Sequence, residues 1–564
     1  MTETAKGRAV IGIDLGTTNC ALAYTEGDRV EQFQIPQFVH PGELREEPLL
    51  PSFLFLEDAG SIAGVLAQKK GLENAGRLVS SAKSWLCHTG IDRTAAILPI
   101  NAPEGVPRVS PVEASRRYLE HLRNAWNDKH SEDPFDARQV LVTVPASFDA
   151  VARDLTRKAA EEAGYRDIVL LEEPQAAFYA WIERNENWRE LVSVGDVILV
   201  IDIGGGTTDF TIIEVKERDG EVELERIAVG DHILLGGDNI DAALAHIVAE
   251  QLPRKLDAIQ FHALWQNCRA AKEKLLAPGA KQAEESITVL GRGTGVVGGT
   301  IKTKLKRSDL EALLLDGFLP QSSIGDAPEG RAATLTEMGL PFAADAAITR
   351  HLAHFLHSRG VKPTHVLFNG GVLRADLVRE RILSVLNGWL PKPVQALVSS
   401  DLMHAVARGA AYYGLARQGK GVRVRGGVSR TYYIGIEASM PAIPGRKPPF
   451  KALTVVPFGM EEGTGHQIKD RAFALSLGGK AQFRFFQSAE RRDPAGMLFE
   501  GIESDMEELA PVEATLPGNA GENVAVTLEV SVTETGMLEM WFVANDGRRW
   551  KLEFNVRGNT RRAA

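Results

Sequence analysis

The chain has 564 residues, more than one hydrophobic core usually supports, so we expect about two to four domains. Apolar residues make up 44% and charged residues 24% of the sequence, which is usual for a globular protein in water. The net charge of -10 argues against binding to nucleic acid or to an anionic membrane, because both require clustered lysine and arginine.

The sequence also predicts the cellular location. Residues 1–8 are polar and lead directly into a predicted strand, so we expect no secretory signal. No stretch reaches the roughly 18 apolar residues that a membrane span needs. Cys20, Cys87 and Cys268 are odd in number and far apart, which favours reduced thiols over a disulfide framework. These features predict a cytoplasmic protein without a membrane partner.

The first candidate for a functional site is a turn after an apolar strand. Residues 12–18 read Gly-Ile-Asp-Leu-Gly-Thr-Thr, and a second predicted strand follows at residues 21–24. Glycine lets an anion approach the backbone, and successive amide and hydroxyl groups in such a turn can bind it. Asp14 supplies an oxygen ligand for a hard cation such as Mg²⁺. Alone, this turn is as compatible with a plain hairpin as with a phosphate site.

Nearly the same pattern recurs at residues 201–209, which read Ile-Asp-Ile-Gly-Gly-Gly-Thr-Thr-Asp. Asp202 takes the place of Asp14, and Asp209 begins the returning strand. Each copy leads a half of roughly equal size. The repetition predicts a duplicated α/β scaffold whose two lobes hold the phosphate chain of a nucleotide from opposite sides.

Strand-like and helix-like segments alternate between the two turns, which is typical of α/β layers. We expect strands at residues 140–144 and 168–171, with a helix at 151–163 between them. Glu173 and Pro174 begin a further helix, because proline is favourable at the first helical position. Glu173 therefore lies where a strand ends and a helix begins, and open α/β sheets bind their ligands there.

Two more glycine motifs follow the second turn. Residues 236–239, Gly-Gly-Asp-Asn, open a predicted helix whose free N–H groups can bind a phosphate. Residues 368–374 precede another helix, and Gly370 and Gly371 would let a base and ribose lie against the backbone, with Arg374 available to stack on the base. No Walker-type phosphate loop occurs, so a phosphate must be held in another way.

The composition changes at residues 416–430, where five basic residues and several glycines occur without any acidic residue. We expect a basic, glycine-rich linker there. Short strands separated by turn signals follow, a pattern typical of an all-β sandwich. The predicted strands cover residues 431–436, 453–456, 472–477, 481–486, 524–532, 537–543 and 550–556.

Taken in order, these motifs resemble those of the seventy-kilodalton heat-shock chaperone family, within the actin and sugar-kinase ATPase superfamily. The resemblance also covers Val144-Pro145-Ala146 and Glu173-Pro174-Gln175-Ala176-Ala177. It implies a duplicated, actin-like (ribonuclease H-like) ATPase domain over residues 1–415, with lobes at roughly 1–195 and 196–415. Residues 431–564 resemble the family's β-sandwich substrate domain, here expected to lack the helical lid.

The resemblance implies ATP or ADP and Mg²⁺ as cofactors. Asp14 and Asp202 would direct Mg²⁺ through its waters, and Glu173 would orient the metal shell or the attacking water. The implied catalytic residues are Asp14, Glu173, Asp202, Thr207, Asp209 and Lys69. The implied nucleotide contacts are Gly16, Thr17, Thr18, Asn19, Gly204, Gly205, Gly206, Thr208, Gly236, Gly237, Asp238, Lys272, Gly370, Gly371 and Arg374. Pro145 and Arg153 match the family's relay between its two domains.

The sequence departs from the family pattern at several positions. Gln68 takes the place of a lysine that contacts phosphate, and Lys69 comes one residue late. Loss of that charge would slow hydrolysis. In the helix that contacts adenine, Glu273 replaces an arginine and Leu276 a serine. The linker lacks the family's leucine-rich docking strand.

We therefore expect an ATP-dependent, chaperone-like protein with slow ATP hydrolysis. Its partners would be unfolded or extended polypeptides, co-chaperones and nucleotide-exchange proteins. One alternative is a nucleotide sensor with little turnover, which Gln68 and Glu273 motivate. Another is a kinase of the sugar-kinase branch, although the long β-rich tail has no place in such an enzyme.

Overall fold

The computed structural model describes residues 9–554 apart from residues 89–90, 101, 219–220, 232, 254, 290–300, 331–342, 400, 423, 426, 429, 438–449, 462, 503–504, 520 and 534–536. The end of the predicted strand 550–556 and the tail that follows it lie outside the described residues.

The strands and helices alternate through the first three quarters of the chain, and only strands follow. The strands are β1 (Val10–Leu15), β2 (Asn19–Glu26), β3 (Arg29–Gln32), β4 (Ile35–His40), β5 (Glu43–Glu47), β6 (Leu50–Pro51), β7 (Leu54–Glu57), β8 (Gly60–Ala63), β9 (Leu78–Val79), β10 (Gln139–Val144), β11 (Val169–Glu172), β12 (Val197–Ile203), β13 (Thr208–Arg218), β14 (Glu221–Val229), β15 (Glu284–Val289), β16 (Ile301–Lys306), β17 (His365–Asn369), β18 (Gln395–Leu397), β19 (Val424–Arg425), β20 (Thr431–Glu437), β21 (Phe450–Val456), β22 (Thr464–Ser476), β23 (Gly479–Ser488), β24 (Leu498–Phe499), β25 (Glu507–Leu516), β26 (Asn523–Val532), β27 (Leu538–Ala544) and β28 (Arg549–Phe554). The α-helices are α1 (Val65–Glu73), α2 (Ala82–Trp85), α3 (Pro111–Lys129), α4 (Ala150–Glu162), α5 (Glu173–Arg184), α6 (Trp188–Leu191), α7 (Gly237–Glu250), α8 (Ala258–Leu275), α9 (Arg307–Ala312), α10 (Ile348–Arg359), α11 (Asp376–Trp389) and α12 (Ala405–Arg417).

The first lobe is built on a six-stranded sheet with the order β11-β10-β1-β2-β3, in which β6 also pairs with β2. β1 runs parallel to β10 and antiparallel to β2. Apolar residues dominate β1 and β10 because helices cover both faces of these central strands, as in other parallel sheets. The hydrophobic core of the lobe lies between this sheet and helices α3 and α4.

The second lobe repeats this arrangement with the order β18-β17-β12-β13-β14-β19. β12 runs antiparallel to β13 and parallel to β17, as β1 does to β2 and β10. The two Asp-Gly-Thr turns thus connect corresponding strands in the two sheets. The duplicated α/β scaffold predicted from the repeated turns is confirmed, and so is the actin-like fold that the resemblance implied.

Helices α5 and α12 pack against each other between the lobes at a very short separation. A Cβ atom at Gly409 would lie 1.7 Å from the carbonyl oxygen of Ala176, so no side chain fits there. Arg408 and Glu183 form an ion pair beside this crossing, with 2.5 Å between Nη2 and Oε1. This close backbone contact is one of the places where the two lobes are joined.

The C-terminal region is a nine-stranded curled sheet with the order β22-β26-β27-β28-β25-β23-β20-β21-β24, packed around a large apolar core with a smaller apolar cluster beside it. This confirms the expected all-β region. β24 and β25 were not predicted from the sequence. Ala150 of α4 belongs to the same apolar core, so the β-region packs directly on the first lobe.

The segment between α12 and β20 lies against the two lobes. Its strand β19 pairs in parallel with β14, through Leu224 and Glu225. The N–H of Val424 donates to Tyr179 Oη at 2.7 Å. The linker thus extends the second sheet by one short strand, and the proposed boundaries at residues 415 and 431 stay predictions.

Among the helices that the structure describes, none combines the length and the apolar character required to cross a membrane.

Candidate functional site

A cleft of about 340 Å³ lies where the two Asp-Gly-Thr turns face each other. Both turns, the start of α5 and the loop after β17 contribute to its walls. The predicted site residues that line it are Asp14, Gly16, Thr17, Thr18, Asn19, Glu173, Asp202, Gly204, Gly205, Thr207, Gly237, Lys272, Gly370, Gly371 and Arg374. Glu273 and Leu276, the two departures in α8, line it as well.

Other predicted site residues lie in the layer behind this wall. The Thr208 hydroxyl donates to the carbonyl oxygen of Leu235 at 2.8 Å. Asp209 is buried and accepts a hydrogen bond from the Ser147 N–H at 3.3 Å. Gly206 lies against the side chains of Thr17 and Ser84. These residues support the second turn from behind.

The motif that opens α7 differs from expectation in one respect. Its N–H groups are not free for a phosphate, because Gly237 N donates to the carbonyl oxygen of Gly204 at 3.0 Å and Asp238 N to that of Gly205 at 2.7 Å. The approach is tight, since a Cβ at Gly236 would lie 2.7 Å from the Gly205 oxygen. Gly236, Gly237 and Asp238 therefore hold the second turn in place.

The two turns come close enough that glycine is required. A Cβ at Gly205 would lie 2.0 Å from Thr18 Oγ1. Arg269 of α8 reaches across the cleft, and its Nη2 donates to the same Thr18 oxygen at 2.7 Å. The Arg269 guanidinium also lies over the ring of Phe53, at 5.6 Å from its centroid. These contacts hold the lobes together over the cleft.

Buried carboxylates dominate the charge of the cleft. Burial, and then the nearby charge of Glu173, raise the pKa of Asp14 to about 7. The same two causes raise the pKa of Asp202 well above its usual range. Burial also raises the pKa of Asp209 to about 6. The cluster carries more negative charge than its surroundings compensate, and a divalent cation would relieve this.

The residues present fit Mg²⁺ and a phosphate chain. Asn369 donates from Nδ2 to Asp202 Oδ2 at 2.7 Å, and its buried Oδ1 has no partner among the described residues. Carboxylate and amide oxygens suit Mg²⁺, which usually binds one or two carboxylates together with waters and phosphates. Gly370 provides close backbone approach beside Asp202, since a Cβ there would lie 2.6 Å from Asp202 Oδ1.

A comparison with known protein families agrees with this geometry. The family model described as Hsp70 protein matches residues 10–319, which is more than half of the chain. The chain belongs to the Hsp70 family. Membership supports a chaperone role and nucleotide binding.

Several curated relatives are Hsp70-family chaperones of bacteria. A chaperone protein HscA homolog of Cupriavidus necator is 33% identical over 282 residues, which cover 48% of this chain and 42% of the relative. Homologs of the same name from Acidovorax sp. (strain JS42) and Bordetella pertussis are 30% identical over 331 residues and 31% over 320 residues. These matches cover 55% and 54% of this chain, and 47% and 46% of the relatives. The chain thus spans about half the length of the relatives it matches.

Lys69, expected to supply the Hsp70-family phosphate contact, lies outside the cleft. Its Nζ donates to the carbonyl oxygen of Val39 at 3.0 Å and lies 3.1 Å from His40 Nε2. Lys83 of α2 lines the cleft instead; it is 6% exposed and pairs with Glu173. Burial alone would lower the pKa of Lys83, but the charges of Glu173 and Asp14 raise it by more.

Three functional candidates of this Hsp70-family cleft were missed by sequence reasoning: Lys83, Arg269 and Asn369. A signal existed for Lys83, because it is the one charged residue in the run Ser80-Ser81-Ala82-Lys83-Ser84-Trp85. Arg269 lies one helical turn before Glu273, on the face of α8 that was already a candidate for base binding. Asn369 directly precedes Gly370 and Gly371 in the motif at residues 368–374.

Lys272 lines the cleft but is already engaged. Its Nζ lies 2.7 Å from Asp241 Oδ1 and donates to the carbonyl oxygen of Gly237 at 3.2 Å. It therefore joins α8 to α7. Arg374 lines the same cleft as Glu273 and Leu276.

Proposed function

We propose that this Hsp70-family chain is an ATP-dependent chaperone, in which slow hydrolysis of Mg·ATP in the first domain controls polypeptide binding by the β-region. The observation that carries the proposal is the meeting of both Asp-Gly-Thr turns at one cleft that also contains Glu173 and Lys83. Phosphoryl transfer mainly needs in-line positioning and charge neutralisation, and this set of residues can supply both.

Each side chain has a distinct role in this proposal. When bound, Mg²⁺ neutralises charge on the phosphates. Asp14 and Asp202 would hold it through its waters, and Asn369 keeps Asp202 in place. Lys83 supplies a positive charge near the transferred phosphoryl group, and its ion pair with Glu173 keeps that carboxylate placed to orient a water. The hydroxyls of the two turns bind phosphate oxygens.

Two adjacent residues support coupling between the domains. Glu173 lines the cleft, while Glu172 before it accepts a hydrogen bond from Arg153 Nη2 at 2.6 Å and pairs with Arg226. Arg226 in turn donates to the carbonyl oxygen of Gly427, beyond the linker strand β19. A shift of α5 on nucleotide binding would therefore act on the chain that leads into the β-region.

Polypeptide binding is proposed for the β-region on the strength of the family. An extended peptide can add as a strand or lie in a cleft between loops, where backbone hydrogen bonds give affinity. The loop between β20 and β21, residues 438–449, lies outside the described residues. Co-chaperones and nucleotide-exchange proteins stay expected partners.

Single-turnover hydrolysis of ATP by the Asp202→Asn variant tests the first half of the proposal. Removal of this metal-directing carboxylate should slow hydrolysis by orders of magnitude. Asp58→Asn, at a surface position whose side chain is 85% exposed, is the matched control and should hydrolyse ATP at the wild-type rate. Equal rates of hydrolysis in the two variants would contradict the role proposed for Asp202.

Binding of a fluorescent unfolded polypeptide tests the second half. Affinity should be lower, and exchange faster, with ATP than with ADP. Equal affinity and exchange with ATP and with ADP would show that polypeptide binding is not coupled to the nucleotide, even if hydrolysis were confirmed.

A further inference from the structure

Three arginines from two parts of the chain meet beside the loop that follows β23. Arg359 is the last residue of α10 in the second lobe. Arg430 precedes β20, and Arg492 lies between β23 and β24 in the β-region. Neither the proposed nucleotide cleft nor its coupling network uses these side chains.

Arg359 and Arg492 converge on the same backbone. Arg359 Nη2 donates to the carbonyl oxygen of Ala489 at 3.0 Å, and Arg492 Nη1 donates to the same oxygen at 2.9 Å. Arg492 Nη1 also lies within hydrogen-bond distance of the carbonyl oxygens of Glu490 and Arg491, at 3.1 and 3.0 Å. Two guanidinium groups thus share one neutral acceptor, without a carboxylate between them.

Arg430 is the most buried of the three, at 3% exposed. Its Nε and Nη2 atoms are inaccessible and have no hydrogen-bond partner in the part of the chain that the structure describes. The Nε atom of Arg359 is likewise inaccessible and has no hydrogen-bond partner among the described residues. A buried charged donor without a partner is costly, because its lost hydration is not replaced.

Charges of both signs act on this cluster. Burial lowers the pKa of Arg359, and the charge of Arg430 lowers it further. Glu490 and Asp231 oppose this effect, but both are exposed, where solvent and salt weaken their charges. Arg492 is exposed, so the cluster opens to solvent on its side.

We propose that Arg359, Arg430 and Arg492 form a binding site for a small oxyanion of the phosphate class. The planar guanidinium group presents donors in a fork that matches the oxygens of phosphate. Because Arg359 belongs to the second lobe and the other two to the β-region, the bound anion links the two parts. This site is separate from the nucleotide cleft and does not depend on the proposed function.

Thermal unfolding of the full chain with inorganic phosphate tests the site. The nucleotide cleft is first saturated with Mg²⁺ and a non-hydrolysable ATP analogue, and sodium chloride of equal ionic strength is the reference. Phosphate should raise the unfolding temperature of the wild type saturably. Arg548→Gln, an exposed arginine of the same β-region, is the matched control and should respond like the wild type.

Arg430→Gln and Arg492→Gln should each require about ten-fold more phosphate, or more, for the same stabilisation. Arg430→Met supplies a second readout, because it removes the unpaired charge. Without phosphate it should unfold at the same temperature as the wild type or higher. The proposal is overturned if the wild type shows no saturable response, if all variants respond alike, or if Arg430→Met is less stable without phosphate yet keeps its full response.

Discussion

Asn369 holds Asp202 across two neighbouring parallel strands through a hydrogen bond of 2.7 Å from Nδ2 to Oδ2. Both side chains are almost fully buried, at 1% and 6% exposed. The two residues are also register partners, so the backbone of β12 and β17 fixes their separation. A carboxylate held in this way loses little freedom when it binds a ligand.

Asn369→Ala should therefore weaken catalysis without removing a group that contacts phosphate. Partners that orient a metal-directing carboxylate usually contribute about 10- to 100-fold to activity. Single-turnover hydrolysis at increasing Mg²⁺ should show the loss, with part of it recovered at high Mg²⁺. Asn187→Ala, at an exposed turn, is the control. An unchanged Mg²⁺ dependence would contradict the positioning role.

Lys83→Met should lower the rate of ATP hydrolysis by about 100-fold or more, because it removes the one described cation that pairs with Glu173. Lys69→Met should leave the rate unchanged, because Lys69 contacts Val39 and His40 outside the cleft. Single-turnover rates of the two variants, measured at saturating ATP, decide between them. If Lys69→Met lost more of its hydrolysis rate than Lys83→Met, the prediction of Lys69 as the catalytic lysine would be favoured instead.

His262 predicts a dependence of stability on pH. Burial lowers its pKa from 6.5 to about 4, against a hydrogen bond with the backbone of Ala75 that raises it. The unfolded chain therefore binds a proton that the native chain does not, so this group destabilises the fold as the pH falls below 6.5. The His262→Gln variant cannot take up this proton and so lacks this loss of stability.

The difference in unfolding free energy between wild type and His262→Gln should therefore shift by about 2 kcal/mol against the wild type between pH 7.5 and pH 5. Urea unfolding at both pH values measures it. His262 faces a cavity of about 40 Å³ that Ala75 and Trp85 also line, so the same protonation should loosen the contact between the lobes. A constant difference across this pH range would show that His262 is not buried as described.

Arg226→Gln should uncouple the domains while leaving nucleotide binding intact. It removes the cation that joins Glu172 to Gly427. The effect of ATP on polypeptide affinity should fall by about 5-fold or more, within the usual range of coupling free energies. Arg218→Gln, whose side chain is 62% exposed at the end of β13, is the control. Equal coupling in both variants would exclude this route.

Much of the fold followed from local patterns. The turns at Asp14 and Asp202 are marked by glycine and threonine at fixed spacing, and the structure places both at one cleft. The strand β25 was missed because its sequence, Glu-Glu-Leu-Ala-Pro-Val-Glu-Ala-Thr-Leu, contains Pro511, and proline usually argues against a paired strand. The helix predicted to begin at Glu173 does begin there, and it ends at Arg184.

The position of Lys83 could not be read from the sequence in the same way. Its distance from Glu173 depends on how α2 packs beside α5. Lys83 and Glu173 are 90 residues apart in the sequence. The register of the family motif pointed to Gln68 and Lys69 instead. Likewise, nothing local to Arg226 indicates Glu172 and Gly427 as its partners. Side chains that act between elements are set by tertiary packing, and a single sequence does not show that packing.

Among the residues that the structure describes, the linker strand β19 pairs with two residues of β14, Leu224 and Glu225. So short a pairing can detach without disrupting the remainder of the sheet. Once it leaves, β14 presents unsatisfied amide and carbonyl groups at a sheet margin, and such margins recruit other extended chains. Detachment of the linker would thus leave an open strand on the second lobe, to which another extended chain can add by backbone hydrogen bonds.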